Sequence, residues 1–167
     1  MKKTLTALLF TLLLASCGFQ LRGAANLPFD TLYVQAPASS QFANQFRRMV
    51  TSGSTTRVID NAKSAEATFV LVSERREKTI LSLSTTGRVS EYQLRYLLSY
   101  RVIDRNSIEI IPVTEIALKR DLSYSDAELL SKEAEDALLY RDMQNDALQQ
   151  LLRRLQLTKL STTPATP

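Results

Sequence analysis

The sequence has little of the chemistry on which most enzymes depend. Its 167 residues contain no histidine, one cysteine and four scattered glycines. Histidine-based acid–base catalysis and Cys/His metal sites are therefore excluded, and neither G-x-x-x-x-G-K-[ST] nor G-x-G-x-x-G occurs. Carboxylate pairs such as Glu74/Glu77 and Asp121/Asp126 are better explained as solvated surface charge than as a glycosidase-like pair. We predict a protein that is not an enzyme and that carries no metal or cofactor.

The N-terminal segment has the pattern of a bacterial lipoprotein signal peptide. Two lysines precede an apolar run over residues 5–14, which is too short to span a bilayer. The run ends in Leu14-Ala15-Ser16-Cys17, which resembles a lipobox, and the only cysteine lies where a lipid would attach. The resemblance implies removal of residues 1–16 and acylation of Cys17 with two or three chains, enough for stable anchoring. Gly18 after the cysteine favours the outer membrane. The alternative is that Cys17 is an ordinary residue of a cleaved signal or of an apolar helix.

The chain that remains after cleavage is long enough for one compact domain. Residues 17–167 comprise 151 residues, a size at which one core buries about 68–70% of the unfolded surface. Without Lys2 and Lys3, 19 basic residues oppose 17 acidic ones, a formal net charge of +2, so nucleic acid is a poor candidate partner. With no second cysteine, no intramolecular disulfide can form. We predict a single domain over residues 17–160 and a disordered tail over residues 161–167.

The spacing of apolar residues predicts the element order β-α-(β)-β-β-β-α. A strand over Thr31–Gln35 precedes a helix that Ser39 or Ser40 can cap, and a brief strand is possible at residues 57–59. The clearest strand alternates an apolar face with a polar face that is either wet or occupied by a partner. The three longer predicted strands are Thr68–Thr86 (continuous or bent), Tyr92–Val102 and Ile108–Leu122, with Pro112 marking an edge or a bulge.

A long C-terminal helix follows the strands. Ser125-Asp126-Ala127-Glu128 has the pattern of a capping box, and an apolar stripe then continues at steps of three and four residues. This stripe predicts one helix face packed against the sheet along its whole length. Its members are Ala127, Leu130, Ala134, Ala137, Tyr140, Met143, Ala147, Leu151 and Leu155. Two amphipathic helices on a largely antiparallel sheet form a two-layer α+β sandwich.

Basic residues are the remaining candidates for a binding site. Arg88 lies in a predicted hairpin turn over Thr86–Arg88, where a projecting guanidinium can bind phosphate in bidentate fashion. Lys132 lies in the first turns of the long helix. Taken singly, each is more simply explained as part of a solvated surface. An outer-membrane protein nevertheless meets one abundant polyanion, the phosphorylated lipid A of lipopolysaccharide.

Two segments resemble one family. The start of the cleaved chain, residues 17–23, reads CGFQLRG and resembles the N-terminus of the LPS-assembly lipoprotein family, LptE. Residues 84–94 read STTGRVSEYQL and resemble the internal G-R-x-x-E-Y-x-L hairpin of that family. The order of elements also agrees over nearly the whole chain after the signal.

The resemblance implies both a fold and a function. It implies two helices on a mostly antiparallel four-stranded sheet, plugging the lumen of the β-barrel protein LptD in a hetero-complex of 1:1 ratio. In this arrangement the lipoprotein assists barrel assembly and binds lipopolysaccharide during its insertion into the outer leaflet. The family's lipopolysaccharide-contacting arginine corresponds to Arg88 by the motif, and its contacting lysine corresponds to Lys132 by position only. Outer-membrane lipid is contacted through acylated Cys17, and the domain faces the periplasm and the barrel lumen.

Two alternatives remain open. An outer-membrane lipoprotein of this size could regulate a periplasmic enzyme, but such proteins are expected to carry a long Pro/Gln-rich linker after the cysteine. Here about a dozen residues separate Cys17 from the first strand, which is too few for a long reach. The other alternative is an auxiliary lipoprotein of a lipid ABC transporter, which would co-purify with inner-membrane components.

Overall fold

The computed structural model describes residues 26–125 and 128–158. Cys17, the predicted signal and the predicted tail lie outside these residues. The described chain folds into five strands and two α-helices in the predicted order, with one short 3₁₀ turn at Ala62–Ser64. No helix in this part of the chain is long and apolar enough to cross a membrane. The elements are β1 Thr31–Gln35, α1 Gln41–Gly53, β2 Arg57–Val58, β3 Ala67–Leu83, β4 Val89–Asp104, β5 Glu109–Ser123 and α2 Leu129–Leu157.

The sheet is mixed and has five strands, in the order β2-β1-β3-β4-β5, so the predicted four-stranded sheet is a partial description. The additional strand is β2, which contains only two residues and pairs in parallel with β1. β1 is also parallel to β3, whereas β3–β4 and β4–β5 are antiparallel. A two-residue strand carries no alternation of apolar and polar residues, which is why its pattern in the sequence is weak.

Strand β4 provides the centre of the core, as its alternation predicts. Leu94, Tyr96, Leu98, Tyr100 and Val102 have no exposed surface and face the two helices. The hydroxyl of Tyr96 donates a hydrogen bond to Glu74 Oε1 at 2.8 Å. Burial, reinforced by the Glu74 carboxylate, raises the pKa of Tyr96, so its hydroxyl remains a donor across the physiological range.

Helix α1 covers the end of the sheet that includes β1. Ser40 is its N-cap, and the Oγ atom accepts the backbone N–H of Ala43 at 3.1 Å. The apolar positions Phe42, Phe46 and Val50 are fully buried, and the ring of Phe46 lies 4.7 Å from that of Phe69 on β3. The spacing of apolar residues and the serine cap therefore both predict this helix correctly.

Helix α2 differs from its prediction at its N-terminal end. It begins at Leu129 with Glu128 as N-cap, and no side chain caps it. The N–H of Glu128 instead donates a hydrogen bond to the carbonyl oxygen of Ser125 at 3.0 Å. The predicted capping box from Ser125 to Glu128 therefore does not start the helix. Asp126 and Ala127 lie outside the described residues.

Burial of the predicted apolar stripe is also limited to the C-terminal part of α2. The buried residues of this helix are Tyr140, Met143, Gln144, Ala147, Leu148, Leu151 and Leu155. The earlier members Leu130, Ala134 and Ala137 are exposed, and Leu130 retains 82% of its accessible surface. The prediction of contact along the whole length is therefore wrong for the first three turns.

The long strand β3 is continuous over 17 residues, one of the two possibilities left by the sequence. Register shifts at Leu71/Ser73 and near Ser82 break its regular pairing with β4. Pro112 lies on β5, which is an edge strand, beside a register shift opposite Tyr100 and Val102. Proline is tolerated there because an edge strand has one row of backbone groups that pairs with no neighbour.

The two candidate caps of α1 provide a test of the structure. Ser40→Ala removes the oxygen that accepts the N–H of Ala43 and that donates to Glu74 Oε2 at 3.3 Å, and should lower the free energy of unfolding by about 1 kcal/mol. Ser39→Ala is the matched control because Ser39 is exposed and is not the N-cap, and it should change the stability by less than about 0.5 kcal/mol. Urea unfolding followed by circular dichroism measures both, and equal losses would contradict the assigned cap.

Candidate functional site

The turn between β3 and β4 fixes the backbone around Arg88. Gly87 adopts a φ of +77°, a left-handed conformation that glycine reaches without steric cost. The N–H of Gly87 bonds the carbonyl of Ser84 at 3.0 Å, and the N–H of Ser84 bonds the carbonyl of Arg88 at 2.7 Å. Ser84 Oγ accepts the N–H of Arg88 at 3.2 Å. Arg88 is therefore an exposed residue on a well-defined turn, as the sequence predicts.

The Lys132 side chain has two hydrogen-bond partners and is mostly covered, whereas the sequence predicts a solvated surface cation. Its Nζ atom donates to Ser123 Oγ at 3.1 Å and to Glu135 Oε2 at 2.9 Å. The lysine side chain keeps 14% of its accessible surface, compared with 45% for Glu135. To contact a ligand, the ammonium group must share or exchange these partners.

Arg88 and Lys132 lie at the same end of the molecule, which we call the distal end. It consists of the Ser84–Arg88 turn, the adjoining strand ends and the first turn of α2. Ser123, the partner of Lys132, pairs with Glu91 of β4. Glu91 is three residues beyond Arg88, which corresponds to about 10 Å along a strand. The structure thus places the two residues in one region, at opposite sides of the end of β4.

The distal end also exposes large apolar side chains. On β3, Ile80, Leu81 and Leu83 retain 58%, 45% and 59% of their accessible surface. At the start of α2, Leu129 and Leu130 retain 47% and 82%. Sequence reasoning missed the three β3 residues, because the sequence predicts only that the strand continues through them, not which side chains are covered. The combination of cations and exposed apolar groups suits an amphiphilic anion.

The face of the sheet opposite the helices carries a network of ion pairs. Glu77 lies 3.8 Å from Arg95 and 3.9 Å from Arg75, and Arg75 lies 4.0 Å from Glu115. Leu97 is an exception, since it is buried on this face. The face is therefore polar and largely paired in charge, and Arg95 is not a phosphate site of the kind proposed for Arg88.

The acidic side chains of the described residues are the candidate ligands for a metal ion. Across residues 26–125 and 128–158, no group of three or more potential ligands could hold a metal ion. The carboxylates considered in the sequence are also engaged: Glu74 accepts hydrogen bonds from Tyr96 and Ser40, and Asp121 accepts one from Gln93.

Solved structures share this fold. The solution NMR structure of a lipoprotein B from Nitrosomonas europaea is 41% identical, with a TM-score of 0.73, and the match covers 83% of this chain and 90% of that chain. The crystal structure of rare lipoprotein B from Shewanella oneidensis is 23% identical and matches 75% of this chain and 92% of that chain, with a TM-score of 0.64. The second likeness shows the fold alone.

Sequence comparison identifies the family. The LPS-assembly lipoprotein LptE of Photorhabdus laumondii is 26% identical over 157 residues, covering 91% of this chain and 84% of the relative. The relative of the same name from Pectobacterium atrosepticum is also 26% identical, covering 91% and 83%. The sequence model of the lipopolysaccharide-assembly family LptE matches residues 29–155, which include every strand of the sheet and nearly all of α2. The chain belongs to the LptE family of lipopolysaccharide assembly.

Proposed function

We propose that this protein is a lipid-anchored lipoprotein of the outer membrane that binds lipopolysaccharide and plugs the LptD β-barrel. The observation that carries the first part is the distal end, where exposed Arg88 lies on the turn that follows the exposed Ile80, Leu81 and Leu83 of β3. Family membership supports the same function, because the relatives are named LPS-assembly lipoproteins. The assistance that this protein gives to folding of the barrel belongs to the same proposal.

The chemistry of lipid A matches the distal end. A guanidinium presents parallel N–H donors that suit the two oxygens of a phosphate, and such charge-assisted pairs are stronger than neutral hydrogen bonds. The apolar side chains near the turn, including Leu83 and Leu130, provide surface for the first methylenes of acyl chains. Binding a single molecule in this way would compete with self-association of lipopolysaccharide as it leaves the barrel.

Lys132 has a secondary role in this proposal. Its ammonium group is paired with Glu135 and its side chain is mostly covered, so it must share or exchange this partner to contact a phosphate. It also connects α2 to the end of β5 through Ser123. We assign the main phosphate contact to Arg88, which is exposed on the turn between β3 and β4, and a supporting contact to Lys132.

The surface opposite the helices supports the plug role. Barrels with many strands enclose a polar lumen that their own side chains do not fill. The ion pairs formed by Arg75, Glu77 and Glu115 give this face a polar surface with little net charge, which suits such a lumen. Acylated Cys17, separated from β1 by 13 residues, would hold the domain close to the membrane.

The lipopolysaccharide contact is tested by charge reversal at the two predicted residues. We expect the double variant Arg88→Glu, Lys132→Glu to bind lipopolysaccharide at least about tenfold more weakly, because phosphate attraction is replaced by repulsion. Arg88→Glu alone should account for most of the loss. Binding is measured by titration with labelled lipopolysaccharide, together with a thermal unfolding curve to verify the fold.

Arg105→Glu is the matched control for charge. Arg105 is exposed in the turn between β4 and β5, at the other end of the sheet, so its reversal changes the net charge by the same two units as Arg88→Glu alone without touching the distal end. This variant should bind as the unmodified protein does. Unchanged binding by the double variant would contradict the lipopolysaccharide contact and leave the plug role intact.

The plug role is tested by affinity purification of the tagged lipoprotein from outer membrane dissolved in detergent. We expect one large β-barrel protein at a ratio near 1:1. Recovery of the lipoprotein alone, or with a periplasmic enzyme or inner-membrane transporter components, would contradict the plug role.

The anchor is tested by intact-mass measurement of the same preparation. We expect a chain that begins at Cys17 and carries the mass of two or three acyl chains. Cys17→Ala should abolish the lipid adduct, because no other thiol is present. Finding Cys17 unmodified in the purified protein would contradict the assignment.

A further inference from the structure

A groove between the two helices carries three arginines and no acidic residue in its described lining. It has a volume of about 770 Å³ and lies between α1 and the N-terminal half of α2, next to Arg76 of β3. Four side-chain amides also line it. We call it the arginine groove, defined by Gln41, Arg48, Arg76, Ala137, Leu138 and Arg141. It is separate from the distal end, since neither Arg88 nor Lys132 is among its lining residues.

The arginines of the groove come from three different elements. Arg76 is fixed, because its guanidinium donates to Gln144 Oε1 at 3.1 Å and lies 5.5 Å from the centre of the Tyr140 ring. Arg48 and Arg141 are exposed, on α1 and α2. Within residues 26–125 and 128–158, no hydrogen bond or ion pair engages the guanidinium of either. Three like charges therefore line one groove without a carboxylate among them.

Part of the wall that α2 contributes to the groove is apolar. Ala134, Ala137 and Leu138 line it, and Leu138 retains 44% of its accessible surface. The two alanines belong to the helical stripe that the sequence predicts to be buried, yet no part of the described chain covers them. An amphipathic stripe that continues for several turns beyond the core indicates a surface with an apolar contact to make.

We propose that the arginine groove binds an acidic segment of another polypeptide in extended conformation. Charge complementarity argues for carboxylates, and side-chain amides, which both donate and accept, suit a peptide backbone. Leu138 is the only large apolar side chain of the wall, which is too little surface for the acyl chains of a lipid. Residues 1–25 and 159–167 contain no Asp or Glu, so these segments offer no acidic side chain to the groove.

The groove also sets the length of the segment. From Ala134 to Gln144, α2 rises about 15 Å, and an extended peptide of about five residues spans the same distance. Such a segment can place acidic side chains toward both Arg48 and Arg141 and an apolar side chain against Leu138. This inference goes beyond lipopolysaccharide binding and does not depend on it.

Selection from a phage-displayed random dodecapeptide library on the full-length protein in detergent tests the proposal. We expect enriched peptides that contain clustered Asp and Glu next to a large apolar residue. Their affinity should fall at least about tenfold in the double variant Arg48→Gln, Arg141→Gln and should weaken as salt is raised. Glutamine retains hydrogen-bonding groups while removing the charge, and Arg76 is left in place because it packs against Tyr140.

The control variant Arg57→Gln, Arg153→Gln removes the same charge from exposed residues outside the groove and should bind the peptides normally. A selection without acidic enrichment would overturn the proposal, as would an equal loss of affinity in the two double variants. Phosphatidylglycerol vesicles provide the remaining comparison. If they bind through Arg48 and Arg141 and displace the peptides, the occupant is an anionic lipid headgroup and the proposal is wrong.

Discussion

The paired strands β3 and β4 are much longer than the helix that covers one end of them. Their 17 and 16 residues extend for about 55 Å, whereas the 13 residues of α1 rise about 20 Å. Only α2, with 29 residues and a length of about 44 Å, extends toward the distal end. The inner face of the sheet is therefore covered by two helices at one end and by one helix at the other. This difference leaves the distal end and the arginine groove exposed.

Where both helices cover the sheet, the core is dense and aromatic. Phe46 packs on Phe69, whose ring centre lies 5.7 Å from that of Tyr100. Burial raises the pKa of Tyr100, and the nearby Arg154 guanidinium opposes this only in part. Its hydroxyl makes no hydrogen bond among the described residues, which adds a desolvation cost that the surrounding packing must offset. This half of the molecule supplies the stability of the domain.

Where α2 alone covers the sheet, polar bridges accompany the apolar packing of Leu94, Leu122 and Met143. Lys78 pairs with Asp136 at 2.6 Å, and the hydroxyl of Tyr140 donates to the carbonyl of Glu77 at 2.6 Å. Arg120 reaches Asp146 at 2.7 Å. Such partly exposed pairs contribute little stability individually, but they orient α2 along the hairpin. The helix is thus positioned by polar contacts while its apolar residues near Leu130 and Leu138 remain uncovered.

The sequence predicts best those elements in which the apolar pattern repeats over many residues and only one face is buried. β4 and α1 are predicted correctly because their apolar residues repeat over several turns or pleats and are all covered. β2 has too few residues to show a period. The first turns of α2 keep a helical period, but the pattern does not reveal whether anything covers the apolar face. Arg88 is located correctly because turn chemistry is local, while the pairing of Lys132 with Ser123 and Glu135 depends on how distant segments pack.

The same division explains how binding surfaces can coexist with a stable domain. Arg88, Arg48 and Arg141 lie outside the aromatic core, so replacing them removes charge from the surface without opening a cavity. Arg48 and Arg141 cost little in the free protein, because they are exposed to water. An anion that displaces this water would gain charge-assisted contacts with them. The proposed binding surfaces therefore lie outside the aromatic core of this small domain.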